Sequence, residues 1–153
     1  MLRFCDWHVG PLADLPLLSV ETITMAASGG WDSLGALPLL HTLMLKETEA
    51  VNGFAEALNK CALDAFPALR TVKIDDFMFR YDERNGPNRV TPQAETLVRG
   101  LAARALYGRR IETLEIGIKS WRSRDSSYEP HPEWLERISG TVENVSVKHE
   151  LKE

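Results

Sequence analysis

Histidine, cysteine and paired carboxylates are the residues of this chain that could bind a metal or activate a nucleophile. The two cysteines, Cys5 and Cys61, form no C-x-x-C pair, and no histidine stands in an H-E-x-x-H motif. The pair Asp75-Asp76 could serve acid–base or metal chemistry, but no histidine lies near it in the sequence. The histidines are spread along the chain: His8, His41, His131 and His149. This spacing predicts no catalytic site, no metal site and no cofactor.

Sequence signatures of phosphate, dinucleotide and acyl-transfer sites are missing as well. The chain contains no Gly-rich phosphate loop, no G-x-G-x-x-G and no G-x-S-x-G. We therefore expect a protein that is not an enzyme. An enzyme of an unrecognised α/β class, using Asp75, Asp76 or His41, is the alternative.

The charge pattern argues against a nucleic-acid partner. The 153 residues include 18 Lys and Arg against 22 Asp and Glu, for a net charge of −4. Nucleic-acid binding requires clustered cations that replace the counterions of the phosphates. The densest group of cations is interleaved with carboxylates; it comprises Arg99, Arg104, Arg109, Arg110, Arg122 and Arg124. We expect a solvated helix and loop surface here, with a nucleic-acid-binding module that uses the arginines of 99–124 as the alternative.

Two segments without helical periodicity, 75–90 and 120–130, concentrate aromatic and basic side chains. Aromatic residues and arginine dominate the energetics of protein interfaces. The candidate partner-binding residues are Phe77, Phe79, Tyr81, Arg84, Trp121, Arg122 and Tyr128. They are predicted to form a rim that contacts a protein partner. The alternation of Phe77, Phe79 and Tyr81 equally suits a strand extension that packs on the rest of the domain.

The elements that must position these residues are marked by a repeated hexamer. Its first, fourth and sixth positions are aliphatic or Met, and its third is Thr in four of the five copies. The copies are VETITM at 20–25, LHTLML at 40–45, LRTVKI at 69–74, IETLEI at 111–116 and VENVSV at 142–147. Side chains alternate along an extended chain, so the fourth and sixth positions share one face of a strand. The residues predicted to be buried are Ile23, Met25, Leu43, Leu45, Val72, Ile74, Leu114, Ile116, Val145 and Val147.

The segments between the hexamers carry helical periodicity. The predicted helices are 32–37, of at most a turn or two, 48–65, 91–108 and 132–140. The third is the clearest, because Thr91 and Pro92 supply an N-cap and a first helical residue, and Gly108 supplies a stop. Connections of this length favour parallel strand pairing, since a hairpin needs only a few linking residues. A compact α/β sandwich with mixed strand order is the alternative.

Three of the hexamers, 40–45, 69–74 and 111–116, resemble the L-x-x-L-x-L core of leucine-rich repeats. The preceding LPLL at 37–40 and FPAL at 66–69 are similar to the (F/L)-P-x-L sequence of irregular leucine-rich repeats in fungal F-box-type proteins. The resemblance implies an α/β fold: a right-handed solenoid of five or six short parallel strands with helices on its convex side. It also implies a non-catalytic protein-interaction scaffold, like the substrate-recognition repeats of an F-box-type ubiquitin-ligase adaptor.

Leucine-rich-repeat geometry places the non-core positions of the strands on the concave face. The residues expected there are Thr42, Met44, Thr71, Lys73, Thr113 and Glu115, with their equivalents in the first and last hexamers. This mostly small and polar face is a candidate contact surface for a protein. Threonine also suits a solvated strand surface, so a purely structural threonine ladder is the alternative.

Residues 1–153 are expected to form one leucine-rich-repeat-like domain, a fragment with a broken first repeat at 1–14 and no visible F-box. A solenoid end without a polar cap exposes apolar side chains, so we expect low stability or self-association at this end. The apolar residues expected there are Leu2, Phe4, Leu12 and Val20. With no long apolar run, no signal peptide and only two cysteines, the chain is expected to be soluble, to have no membrane partner, and to be cytoplasmic or nuclear.

Overall fold

Strands and helices alternate along the chain in the computed structural model, which describes residues 2–4, 19–26, 29–60, 65–80, 90–119 and 126–150. The strands are β1 (Leu2–Phe4), β2 (Thr22–Met25), β3 (Thr42–Lys46), β4 (Thr71–Asp75), β5 (Ile111–Lys119) and β6 (Val142–Glu150). The α-helices are α1 (Trp31–Gly35), α2 (Glu47–Lys60), α3 (Pro92–Leu106) and α4 (Pro132–Ser139). A short 3₁₀ helix spans Ser126–Tyr128.

The described strands form one sheet, in which their spatial order follows the sequence from β1 to β6. Every neighbouring pair is parallel. The third positions of the five hexamers are successive partners across the sheet: Thr22, Thr42, Thr71, Thr113 and Asn144. The predicted α/β class and parallel pairing are confirmed. The mixed order of the alternative fold is not found among these strands.

Burial of one sheet face against the helices forms the core. The residues that were predicted to be buried and are so are Ile23, Met25, Leu43, Leu45, Val72, Ile74, Leu114 and Ile116. Val145 and Val147 are only partly buried, because they lie in β6, the last strand of the sheet. A strand at an edge has a neighbour on one side only, so its apolar side chains keep part of their exposure.

The amino-terminal side of the sheet departs from the expected apolar edge in one respect. Val20, expected to be exposed there, is partly buried and packs against the core. Leu2 and Phe4 lie in β1, which pairs with β2, while Leu12 is outside the described residues. The strand β1 therefore precedes the first hexamer and extends the sheet beyond it.

The helices begin where their capping residues predict. The Thr91 hydroxyl accepts a hydrogen bond from the Ala94 amide at 3.3 Å, and Pro92 is the first residue of α3. His131 caps α4 in the same way, with its Nδ1 accepting from the Glu133 amide at 3.2 Å. The described part of the second predicted helix, α2, ends at Lys60, before the predicted residue 65. Within the described residues, no helix combines the length and apolar character needed to cross a bilayer.

A glycine allows α1 and α2 to approach closely. A methyl group at Gly53 would overlap the indole of Trp31. Trp31 also contacts Phe54 and Phe66, with ring centroids 5.9 and 6.1 Å away. This aromatic cluster closes the core between the two helices and the loop before β4.

Candidate functional site

The sheet face opposite the helices carries the residues that were expected on a concave face. Thr42, Met44, Thr71, Lys73, Thr113 and Glu115 are all partly exposed. They alternate along their strands with buried core residues. We call the face formed by these six residues the open face. The predicted grouping of these side chains on one surface follows directly from the period-two alternation.

The open face consists of two rows that run across the strands. One row is Thr42, Thr71 and Thr113, which are partners in the register. The hydroxyls of Thr71 and Thr113 have no hydrogen-bond partner among the described residues, whereas Thr42 Oγ1 lies 3.2 Å from Nδ1 of His41. The row therefore offers small side chains with free hydrogen-bonding groups at its centre.

The second row carries the charge of the open face. Met44, Lys73 and Glu115 are partners on β3, β4 and β5. Glu115 is neutralised by Lys148 of β6, whose Nζ lies 3.1 Å from Oε2. Lys73 has no ion pair within the described part of the chain. Lys73 therefore presents its ammonium group on β4, which lies between β3 and β5, where a carboxylate of a partner could pair with it.

Carboxylates gather where β4, β5 and β6 end. Asp75 lies over Gly117, where a methyl group would overlap the Asp75 carboxylate. Burial, together with the charges of Glu150 and Asp76, raises the pKa of the Asp75 carboxyl. The Asp76 side chain is 9% exposed, and its Oδ2 lies 2.7 Å from Nζ of Lys119. The hydrogen bond to Asp76 in turn raises the pKa of Lys119.

The residues of the alternative enzyme hypothesis do not converge. His41 precedes β3 and lies 3.5 Å from Glu21, whereas Asp75 is paired with Lys46 at the far end of that strand. Five residues of extended chain separate the two positions by roughly 16 Å. Among the described residues, no group of three or more His, Cys, Asp or Glu could hold a metal ion. Oδ2 of Asp76 is bound by Lys119, whereas its Oδ1 is buried and has no hydrogen-bond partner among the described residues.

The structure describes three of the residues that were predicted to form the aromatic rim, and it places all three in the core. Phe77 and Phe79 are each 1% exposed and Tyr128 is 7% exposed, so all three belong to the core. The Phe79 ring lies 4.9 Å from that of Trp134 in α4 and 4.7 Å from that of Phe77. Burial of large aromatic surfaces explains this position better than partner binding does. The other rim residues, Tyr81, Arg84, Trp121 and Arg122, lie outside the described residues.

Backbone hydrogen bonds join the two aromatic segments side by side. The amides of Phe79 and Arg80 donate to the Ser127 carbonyl at 2.8 and 3.1 Å. The Arg80 guanidinium donates to the carbonyls of Glu129 and Pro130 at 2.9 and 3.0 Å. The segments are neighbours, as the rim hypothesis required. Phe77, Phe79 and Tyr128, however, are buried in the core and anchor the segments instead of projecting from them.

The prediction for Arg104 was also wrong. This residue was expected on a solvated surface with the other arginines of 99–124, but it is buried. It is 1% exposed, and its guanidinium donates to the carbonyls of Ala65, Phe66 and Leu69 at 2.7, 2.7 and 3.2 Å. Burial, with a smaller contribution from Arg109, lowers the pKa of Arg104 to about 10, which leaves it charged at neutral pH. It satisfies backbone carbonyls of the loop between α2 and β4.

The position of Arg104 could have been read from the helical periodicity. It follows Leu97 by seven residues and Leu101 by three, so it lies on the apolar stripe of α3. Its charge alone would group it with Arg99, Arg109 and Arg110, which are exposed. A charged residue on a buried stripe is expected to have hydrogen-bonding partners there.

The open face is thus the predicted site whose described residues lie together and remain accessible. It supplies threonine hydroxyls, a methionine and a lysine on adjacent parallel strands, and the lysine forms no ion pair with any residue that the structure describes. Comparison with known proteins found no matching family model, no matching curated protein and no matching solved structure.

Proposed function

We propose that this chain is a non-catalytic protein-interaction scaffold that binds its partner on the open face. The observation that carries the proposal is the register of the two rows, which aligns polar side chains across successive strands opposite the helix-packed core. Such a surface provides hydrogen-bonding groups at regular spacing. Recognition by shape and polar contact needs no catalytic group.

The strand arrangement supports a leucine-rich-repeat-like solenoid within this proposal. In a solenoid each repeat contacts its neighbours, so the strands follow one another in sequence order and all run parallel. The observed order from β1 to β6 has this property. Together with the L-x-x-L-x-L resemblance, it supports a role like that of the substrate-recognition repeats of an F-box-type ubiquitin-ligase adaptor.

Lys73 defines the chemistry of the partner. It lies at the centre of the second row, beside Met44, and has no ion pair within the described residues. We expect the partner to place an acidic side chain at Lys73 and small or polar side chains over the threonine row. A charge pair formed on desolvation at the centre of an interface contributes more than one at its rim.

Affinity capture with the full-length gene product, followed by mass spectrometry, tests the proposal. The Lys73→Glu and Thr71→Arg variants are expected to lose the partner, by repulsion and by steric blockage respectively. Truncation at an interface hot spot typically costs about 2 kcal/mol or more, so the loss should be at least tenfold. Lys60→Glu is the matched control, because Lys60 is an exposed lysine at the end of α2, away from the open face.

The outcomes separate the two parts of the proposal. Equal capture by the wild type, Lys73→Glu and Thr71→Arg would show that the open face is not the binding surface. Recovery of ubiquitin-ligase scaffold components supports the adaptor role. Capture of a partner that depends on Lys73, without any ligase component, contradicts the adaptor role and retains the interaction face.

A further inference from the structure

β6 is the last of the described strands in the sheet, and its outer edge has no partner among them. β6 contains nine residues, Val142–Glu150, and pairs with β5 along its length. Among the described strands, none pairs with its other edge. Alternate residues along that edge direct backbone N–H and C=O groups away from the sheet, and such groups are a template for another strand.

Apolar side chains on this edge are only partly covered. Val145 and Val147 lie on the helix side of the sheet, in register with the fully buried Leu114 and Ile116. They are partly buried, although the equivalent residues of β3, β4 and β5 are inaccessible to solvent or nearly so. A further strand beside β6 would complete the burial of these two valines.

The sequence of β6 is complementary to itself when a second copy is placed antiparallel to it. With Ser146 on the two-fold axis, Val145 lies opposite Val147, and Glu143 lies opposite His149. Directly opposite side chains in an antiparallel pair lie on the same face and contact each other. On the helix side this register pairs Val145 with Val147 and Glu143 with His149, twice each; the remaining pairs are Asn144 with Lys148 and Val142 with Glu150.

Other registers lose these pairings. Centring the axis on Val145 places Glu143 opposite Val147, and centring it on Val147 places Val145 opposite His149. Either shift also shortens the ladder from the nine residues of β6 to seven. The register centred on Ser146 uses the whole strand and leaves no charged side chain facing an apolar one on the helix side.

We propose that two copies of this chain associate through antiparallel pairing of β6 with β6, centred on Ser146. The result is a two-fold dimer in which the two sheets become continuous. Glu143 and His149 remain accessible for it: Glu143 is exposed, and His149 lies 3.4 Å from Glu129 of its own chain but keeps 48% of its side chain exposed. The proposal concerns a surface separate from the open face and goes beyond the proposed function.

Sedimentation velocity of the purified full chain over a range of concentrations tests the dimer. One strand pair is a small interface, so we expect a reversible and concentration-dependent monomer–dimer equilibrium. Glu143→Lys places a lysine opposite His149, and His149→Glu places two carboxylates opposite each other. Each single variant is expected to raise the dissociation constant at least tenfold.

The double variant Glu143→Lys/His149→Glu places a lysine opposite a glutamate and is expected to return the dissociation constant to within about threefold of the wild type. Glu136→Lys, a charge reversal at an exposed position of α4, is the control and should leave association unchanged. Circular dichroism verifies that every variant is folded. A monomer at all concentrations, or a dimer that the single variants do not weaken or the double variant does not restore, overturns the proposal.

Discussion

At the scale of single residues, a buried guanidinium connects α3 to the loop before β4. Arg104 donates to three backbone carbonyls, those of Ala65, Phe66 and Leu69. Ala65, Phe66 and Leu69 are themselves buried. The side chain therefore acts as a hydrogen-bonding partner for the backbone. Its charge is buried and does not contribute to a cationic surface.

Replacement of Arg104 by alanine is expected to lower the free energy of unfolding by about 3 kcal/mol, because the buried carbonyls of Ala65 and Leu69 lose their donor and that of Phe66 keeps only the Leu69 amide. Urea denaturation followed by circular dichroism measures the change. Arg99→Ala is the control on the same helix, since Arg99 is exposed, and should change the stability by less than about 0.5 kcal/mol. Equal effects of the two variants would contradict the capping role.

The raised pKa of Asp75 makes the stability depend on pH. Burial and the neighbouring carboxylates raise this pKa in the folded state above its ordinary value of 3.8. The ionised carboxylate therefore destabilises the fold at neutral pH, and the penalty disappears as the pH falls through the folded pKa to below the unfolded one. Asp75→Asn removes the penalty.

Asp75→Asn is accordingly expected to unfold at a higher urea concentration than the wild type at neutral pH. The difference should shrink as the pH is lowered through the folded pKa of Asp75. A titration of the unfolding midpoint against pH for both proteins measures this. A difference that is the same at neutral and acidic pH, or that has the opposite sign, would contradict the assignment.

At the scale of elements, the segment after β4 is fastened to α4 and to the 3₁₀ helix. Phe79 packs edge-on against Trp134, and its amide donates to the Ser127 carbonyl. Trp134 in turn donates through Nε1 to the Ala94 carbonyl of α3 at 3.0 Å. The Trp134 side chain of α4 thus links this helix to α3 and to the segment after β4.

Phe79→Ala is expected to destabilise the fold by about 3 kcal/mol or more, since it removes a fully buried ring and leaves a cavity. Met78→Ala is the matched control, because Met78 is the neighbouring residue and is 37% exposed. Thermal unfolding of both variants measures the difference. A folded and equally stable Phe79→Ala protein would return Phe79 to the list of candidate contact residues.

At the scale of the whole molecule, protection should be highest at the centre of the sheet. β3, β4 and β5 have a strand on each side, and α2 packs against β3, β4 and α3. Among the described strands, β1 has three residues and one neighbour, and β6 likewise pairs on one side only. Local opening requires the loss of fewer contacts at the two edges than in the middle.

Amide hydrogen exchange is therefore expected to be slowest in β3, β4 and β5, and faster in β1 and at alternate amides of β6. Exchange at low protein concentration, monitored by NMR or mass spectrometry, measures this gradient. Protection of all amides of β6 that increases with concentration would accord with strand pairing between copies. Uniform exchange across the sheet would contradict the gradient.

The sequence by itself determined the strands, their alignment and the two faces of the sheet. These features are local: alternation with period two decides which side chains share a face, and the repeated hexamer aligns Thr42 with Thr71 and Thr113. The caps of α3 and α4 are equally local, because each is formed by residues within one helical turn. Both rows of the open face were predictable for this reason.

Only the tertiary structure decided which aromatic and basic residues were available for binding. Phe79 and Arg104 belong to residue types that are common at interfaces, yet both are buried. Their partners are 38 or more residues away in the sequence: Trp134 for Phe79, and the carbonyls of Phe66 and Ala65 for Arg104. Residue type gives the strength of a contact but not its partner, since burial depends on which distant segments meet. Val145 and Val147 fit the core pattern but keep part of their exposure, because the position of a strand within a sheet is a property of the whole fold.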